Sequence, residues 1–555
     1  MRRNAAAAGV AGLAGLVIGM SLTALPWRPA WPGLCILNVW RGAAVGWLLG
    51  LGVAAPVCWL LSRRAPAQEQ RCRSRRRRVV HTTLIGVSLA PGVVWLTVVV
   101  PGTPLRRALA ASRPLGDTRP NLVLITVDAL RPDVLGAYGS AEGLSPNIDA
   151  FARDATRYDS AYASSPWTLP SLAALFTSEL PSRSVGDAPA GADRNLRLTL
   201  RDDVPTLPER LRALGYVTAA ELTNHFLGED RGWSRGFDWF RNESPGDDPN
   251  SPLLRGGNIT ARASEWIQLS RREPFFLWVH YFDTHIPYDS PDTPPKLREQ
   301  WPSWWVADRA TWMRRMSSER GPKRSNYMEF CRAMYREEVR YADRSVGEFL
   351  KRLKEQGLYD RSLIVISADH GEELFDRSND LAMEHGHNLH EPVLHVPLLV
   401  KWPPGMEADR SITRTVGWAD LHATFLQFAV GQTAEKGKSQ GLPRRDGGKG
   451  AEVFSEWMMY GKQQASLTTD DYRVIYHPDQ AVSGGTFEVY DRTDRQEQHD
   501  LSATHAAEEL RTRLRRLTQV ALETRRQGGG RLRSIPFRLP EKTRQSLKSL
   551  GYMGD

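Results

Sequence analysis

A chain of 555 residues has room for a large core and additional modules. Its formal charge of +10 suggests nucleic acid at first sight, but residues 1–120 hold 16 Arg or Lys against 2 Asp or Glu, leaving a net of −4 for residues 121–555. The basic excess belongs to one segment, which argues against nucleic acid as a partner. Cysteine usage argues against a disulfide scaffold, because Cys35, Cys58 and Cys72 fall in that segment and Cys331 stands alone in the main body.

The basic segment contains three apolar stretches, roughly 5–27, 43–61 and 79–100. Each comes near the ~20 residues needed to cross a bilayer. A cleavable signal peptide would account only for the first. Between the second and third lies SRRAPAQEQRCRSRRRR, with Arg63, Arg64, Arg71, Arg73 and Arg75 to Arg78, and such a cluster is expected to stay in the cytoplasm. Arg2 and Arg3 put the N-terminus on the same side. Residues 1–100 are therefore expected to form a three-span membrane anchor, leaving everything beyond it on the extracytoplasmic side. Residues 101–120 read as a Pro-rich linker.

The main body alternates strand and helix signals. The apolar runs 122–127 and 363–366 read as strands buried on both faces of a parallel sheet. Each delivers a carboxylate as the chain leaves it, Asp128 in one and Asp369, followed by His370, in the other. In open α/β sheets the site lies outside the carboxyl ends of the strands, so these residues mark a plausible metal site. SPNIDAFARDATRY (145–158) reads as a helix with Ser145 and Pro146 as its start signal. A helix at 206–214 leads to a strand at 216–222, and a helix at 261–270 to the strand region FFLWVHYFDTHIPY (275–288). Residues 289–325 hold Trp301, Trp304, Trp305 and Trp312 and read as a loop excursion packed on the body, with a lid or membrane-facing surface as the alternative. An amphipathic helix follows at 334–357, with Val339, Ala342, Val346, Phe349, Leu350 and Leu353 on one face. A strand at 396–401 and a helix at 420–429 complete a domain spanning 121–430. Beyond a Gly- and Lys-rich loop, VFSEWMM, YRVIYHP and TFEVYDRTDRQEQHDLS suggest a smaller sheet within 431–510, with a charged tail over 511–555.

Several of these motifs occur in an order that resembles the sulfatase family of the alkaline phosphatase superfamily: VDALRPDVLGAYG, SPNIDAFARDATRYDSAYA, TLPSLAALFTSELPSR, HYFDTHIPY, SADHGEEL, HVPLLVKWP and FEVYDRTDRQEQHDLS. The resemblance covers about 121–502 and implies an α/β alkaline-phosphatase-like sandwich with a large, mostly parallel central sheet, a smaller C-terminal antiparallel sheet and a metal-assisted ester-cleaving site. The family carries Cys or Ser, converted to formylglycine, in a C/S-x-P-S-R pattern. Here that stretch reads Thr168, Leu169, Pro170, Ser171, Leu172, and Ala129 replaces the second acid of the usual Asp-Asp pair. Threonine cannot become formylglycine, and in this respect the chain looks like the phosphoethanolamine transferases, lipoteichoic-acid synthases and phosphodiesterases of the same superfamily.

On that resemblance Asp128, Thr168, Asp369 and His370 are the expected metal ligands, and Thr168 is the expected nucleophile, capping the helix that follows it. His285 and His385 are expected to act in catalysis and His387 to bind substrate. An imidazole among oxygen ligands favours Zn²⁺ or Mn²⁺, with Ca²⁺ the family-wide alternative. The expected activity is cleavage of sulfate or phosphate esters, with lipid or glycan as possible substrate. Alternatives are transfer of a phospho-alcohol group to an envelope lipid or glycan, and a non-catalytic envelope scaffold that has kept the fold.

Overall fold

The runs rich in Val, Ile and Leu do form the middle of a parallel sheet. In the computed structural model, β1 (Asn121–Val127) pairs in parallel with the strands Phe275–Tyr281 and Ser362–Ala368, and every residue of the three is buried. The structure describes residues 118–526 except 187–197, 243–254, 270–273, 301–321, 377–382, 431–440, 457, 460–462 and 479–484. The expected three-span anchor and most of the tryptophan-rich excursion lie outside the described residues. Among the described residues, no helix is long and apolar enough to cross a membrane.

The central sheet has eight strands. In chain order they are β1, β2 (Thr156–Tyr158), β3 (Val217–Leu222), β4 (Trp239–Asn242), β5 (Phe275–Tyr281), β6 (Ser362–Ala368), β7 (Leu398–Lys401) and β8 (Ser411–Ile412). Their spatial order is β8-β2-β7-β6-β1-β5-β3-β4, and β7 alone runs against the rest. Val127 is in register with Tyr281 on one side and Ala368 on the other. The next residues, Asp128 and Asp369, therefore leave neighbouring strands at one edge.

The helix expected over 145–158 stops at Ala152, so α1 is Pro146–Ala152, and Thr156–Tyr158 is strand β2 instead. Tertiary pairing decides this segment: Thr156 and Arg157 lie opposite Val400 and Leu399, a setting that suits β-branched and aromatic side chains. Ser145 makes no side-chain cap to α1. Asp343 caps it from afar, its Oδ1 accepting from the Ile148 amide at 2.8 Å. The residue that supplies this cap lies on the long α5 (Pro322–Glu355), reached after α2 (Thr168–Thr177), α3 (Leu207–Ala213) and α4 (Gly256–Leu269). Thr206 and Glu209 form a reciprocal capping box at the start of α3. The apolar stripe expected on α5, Val339 to Leu353, is buried against the sheet core.

After α6 (Trp418–Val430) comes a four-stranded antiparallel sheet of β9 (Val453–Glu456), β10 (Ala465–Thr468), β11 (Tyr472–His477) and β12 (Thr486–Asp491). Its second strand, ASLT, is short and half polar, and is not among the strands expected from sequence. The helix α7 (Glu508–Arg526) runs across residue 511, the expected start of the charged tail, and packs Leu514 and Ala521 against Val474 and Val489.

The small sheet is locked to the main body through an ion network that is largely buried. Glu391 accepts from Arg473 Nη2 at 2.7 Å, Arg492 Nη1 at 2.8 Å and Arg495 Nη1 at 2.8 Å. Glu497 lies 3.3 Å from Arg473 Nε and 2.8 Å from His390 Nδ1. Burial alone would raise the Glu497 carboxyl, but Arg473 and His390 bring it down to about 2. Replacing Arg473 with Leu leaves two buried carboxylates short of a cation. Such a loss costs about 3–5 kcal/mol, to be read as a fall in the urea midpoint. His422 on α6 donates from Nδ1 to the Leu175 carbonyl oxygen at 2.9 Å, and burial lowers its pKa to about 4. The unfolded chain binds that proton near pH 6.5, so stability is full above 6.5 and falls as pH drops from 6.5 toward 4. His422→Gln should flatten that part of a stability–pH curve measured by thermal unfolding.

Candidate metal centre and active site

The carboxyl edge of the sheet gathers side chains from five segments. Asp128 leaves β1, Asn224 follows β3, His280 is the penultimate residue of β5, Asp369 and His370 leave β6, and Thr168 opens α2. All of them are buried. Asn224 Nδ2 donates to Asp128 Oδ2 at 2.9 Å, and the Thr284 hydroxyl donates to the Asp128 carbonyl oxygen. Asp369 Oδ1 accepts from the amides of Ala129 at 3.1 Å and His370 at 2.9 Å. To aim its amide there, Ala129 adopts a left-handed backbone with φ 56°, an unfavourable region for alanine.

Ring orientation is set from behind. His370 Nδ1 lies 2.8 Å from the Gly371 carbonyl oxygen, which can only accept, so the proton sits on Nδ1. Its Nε2 then faces Asp369 Oδ2 at 3.4 Å, Asp128 Oδ1 at 3.6 Å and Thr168 Oγ1 at 3.3 Å. Fixing one imidazole nitrogen on a carbonyl to present the other is how metal-ligating histidines are oriented. His280 is held at Nδ1 by the Thr126 hydroxyl (2.8 Å), and its Nε2 lies 3.4 Å from Asp128 Oδ2.

Three buried atoms here lack a hydrogen-bond partner among the described residues: Asp128 Oδ1, Asp369 Oδ2 and His280 Nε2. One ligand atom from each of these three residues lies within 4.8 Å of the others. Burying two carboxylates together is costly without a cation. Burial and the neighbouring Asp128 push the Asp369 carboxyl up. For Asp128, burial acts upward too, but the His280 contact and the charges of His285 and His370 outweigh it and hold the group low. This donor set of carboxylate oxygen and imidazole nitrogen fits a divalent cation.

The structure brings Asp128, Thr168, Asp369 and His370 together. Thr168 Oγ1 is also 3.4 Å from Asp128 Oδ2. The cap of α2 is Trp167, however, not Thr168, which is the first helical residue and makes no capping bond. Its hydroxyl is thereby directed to the acidic cluster rather than to the helix's own amides. Ser171 is a tether: its hydroxyl donates to the Asp369 carbonyl oxygen at 2.5 Å and accepts from Trp418 Nε1 at 2.8 Å. The ring of His385 lies 4.2 Å from that of His370 and 5.0 Å from that of His285, centre to centre. His285 stacks on Phe282 at 4.4 Å. His387 is half-buried, and its Nδ1 lies 3.4 Å from the His385 carbonyl oxygen.

His280 and Asn224 are not among the site residues expected from sequence. His280 had a usable signal, since an imidazole at the end of an otherwise apolar buried strand needs a polar partner. Asn224 had none beyond following a strand.

A sheet of this topology with a polar, acidic pocket at its carboxyl edge defines an α/β domain built to hold a cation beside a hydroxyl. The sulfatase family model matches residues 120–431, and the chain belongs to the sulfatase family. It is 25% identical over 325 residues to an ulvan-active sulfatase of Formosa agariphila, covering 53% of this chain and 58% of that one. It is 26% identical over 377 residues to a choline-sulfatase of Rhizobium meliloti, covering 56% and 69%. The chain thus spans less than two thirds of the first relative's length. Among solved structures, a protein in complex with its substrate D-glucosamine-2-N,6-O-disulfate matches with TM-score 0.56 at 17% identity, over 75% of this chain and 100% of that one. The phosphonate monoester hydrolase of Agrobacterium radiobacter matches with TM-score 0.52 at 19% identity, over 74% and 96%. At such identities these likenesses show the fold.

A cation that binds only the folded site stabilises it by mass action. Stripping the protein with a chelator should lower its thermal midpoint, and adding back Zn²⁺, Mn²⁺ or Ca²⁺ one at a time should restore it with the ion that fits. Asp369→Asn should abolish that restoration for every ion, as read by differential scanning calorimetry and elemental analysis.

Proposed function

We propose that the chain is a membrane-anchored, metal-dependent ester hydrolase with its catalytic domain outside the cytoplasm, acting on phosphoric or sulfuric esters through Thr168. The observation that carries this reading is the position of Thr168 Oγ1, 3.4 Å from Asp128 Oδ2 and 3.3 Å from His370 Nε2 at the start of α2. Asp128, Asp369, His370 and Thr168 would hold the cation, with His280 as a further donor. When bound, the cation lowers the pKa of the hydroxyl and offsets charge on the ester oxygens. Two imidazoles in the set favour Zn²⁺ or Mn²⁺ over Ca²⁺. The membrane anchor rests on the three apolar stretches and the arginine loop between them.

The chain's own groups divide the remaining work. Thr168 Oγ attacks the phosphorus or sulfur from the N-terminal end of α2, a helix end that favours anionic groups. Asn224 holds Asp128 in place. His385 and His285 contact the ester oxygens and protonate the departing one. His387 binds the substrate from the same loop.

Phosphoryl chemistry is the better fit to a threonine. Hydrated formylglycine expels sulfate through its second hydroxyl, and a sulfated threonine has no such exit. A phosphorylated Thr168 is open to in-line attack by water, which releases phosphate or a phosphomonoester and regenerates the hydroxyl. An acceptor alcohol in place of water would make the same site a transferase, and product analysis with and without acceptor separates the two. Sulfated-glycan relatives keep sulfate esters among the substrates to be tested.

Thr168→Ala should reduce turnover of 4-nitrophenyl phosphate, bis-4-nitrophenyl phosphate and 4-nitrophenyl sulfate by about a thousandfold or more, with bound metal unchanged by elemental analysis. Full activity in that variant removes Thr168 from the reaction. A metal-free chain inert on all three esters favours a binding scaffold.

A further inference from the structure

Glu372 lies two residues beyond His370 and has no place in the chemistry so far. It is fully buried. Its two carboxylate oxygens are assigned to different partners: Oε2 accepts from the Tyr288 hydroxyl at 3.1 Å, and Oε1 lies 3.1 Å from His385 Nδ1. A carboxylate oxygen can only accept here, so Nδ1 of His385 carries the proton. Both ends of the pair are anchored. The Glu372 amide donates to the Pro392 carbonyl oxygen at 3.0 Å, that of Gly371 to Val393 at 2.7 Å, and the Glu372 carbonyl oxygen accepts from Arg131 Nη1 at 3.0 Å. Gly371 has to be glycine, since a Cβ there would come within 2.0 Å of the Pro392 oxygen. On the far side, the Gly386 carbonyl oxygen accepts from the Met459 amide at 2.8 Å. This much fixation of a carboxylate behind a histidine exceeds what filling a core requires, because an apolar side chain would fill the space without burying a charge.

We propose that Glu372, held by Tyr288, is a positioning residue: it fixes the ring and the tautomer of His385 so that Nε2 is the atom that serves the ester's leaving oxygen. The inference rests on the hydrolase reading above and extends it to a residue that does not touch the substrate. In the step it supports, Thr168 Oγ, its proton lost to solvent, bonds to phosphorus as the bond to the leaving oxygen breaks. His385 enters protonated on both nitrogens, gives its Nε2 proton to that oxygen, is left with Nδ1–H on Glu372, and recovers a proton at Nε2 from the water that later cleaves the phosphothreonine. Glu372 neither gives nor takes a proton; it keeps Nδ1–H bonded and supports the ring while Nε2 delivers. The help matters most where the leaving oxygen is a poor one. An alkoxide needs the proton, and 4-nitrophenolate departs without it.

The test is made on the full-length, metal-loaded chain, with 4-nitrophenyl phosphate and n-butyl phosphate as the paired probes. Glu372→Gln is expected to raise the aryl-to-alkyl ratio of kcat roughly ten- to a hundredfold, the range found when a residue that orients a histidine is lost. His385→Ala is expected to raise it as far or further. Glu372→Gln added to His385→Ala is expected to change the ratio no more, since both act through one ring. Tyr288→Phe, which removes one hydroxyl and no charge, is expected to shift the ratio in the same direction by less. If Glu372→Gln fails to fold, Tyr288→Phe decides. Equal losses on the two esters, or additive effects in the double variant, overturn the proposal and leave Glu372 a packing residue. Full activity in Thr168→Ala, or no activity of the unaltered chain on the aryl ester, overturns the hydrolase reading first.

Discussion

The structure depends on two carboxylates brought side by side where water does not reach. Asp128 and Asp369 follow neighbouring parallel strands whose last residues, Val127 and Ala368, are in register, and both are wholly buried. Such a pair would oppose folding unless imidazoles, amides and a cation answer its charge. The surroundings are arranged to do that. The amides of Ala129 and His370 go to one oxygen of Asp369, Asn224 goes to one oxygen of Asp128, and Nε2 of His370 faces both residues. The nucleophile candidate is placed by the same demand, because Ser171 ties the first turn of α2 to the backbone of Asp369.

The C-terminal sheet takes part in this arrangement. Arg473 reaches from β11 to the Leu389 carbonyl oxygen at 3.2 Å as well as to Glu391 and Glu497. The segment it grips carries the helix turn Glu391–Leu394, whose carbonyl oxygens receive the amides of Gly371 and Glu372. A path of hydrogen bonds therefore joins the edge domain to the strand end that presents His370. Holding that path together takes several kcal/mol of buried ion pairing, which is strong only while every partner is present.

Much of this was legible in the chain itself. Strands such as 122–127 and 363–366 announce themselves because burial on both faces demands an unbroken apolar run, and the polar residue that ends each run marks the edge of the sheet. The stripe on α5 was readable for the same reason at a helical period. What stayed hidden depends on partners distant in sequence. Strand β2 follows a helix-like pattern until β7 pairs with it. The cap of α1 comes from Asp343, nearly 200 positions away. Asn224 gains its meaning only once β3 places it beside Asp128. Thr168 was recognisable by its position in a motif, yet its role at the helix start was misjudged, since only backbone angles distinguish the cap, Trp167, from the first helical residue.

The left-handed turn at Ala129 has an implication for the family pattern from which this chain departs. That backbone region is one that aspartate and asparagine enter more readily than alanine. The main chain at 129, with φ 56°, thus has a shape suited to the acid of the sulfatase Asp-Asp pair, although the residue here is alanine. The difference at 129 is confined to a side chain, and an Asp introduced there would find its backbone conformation already prepared.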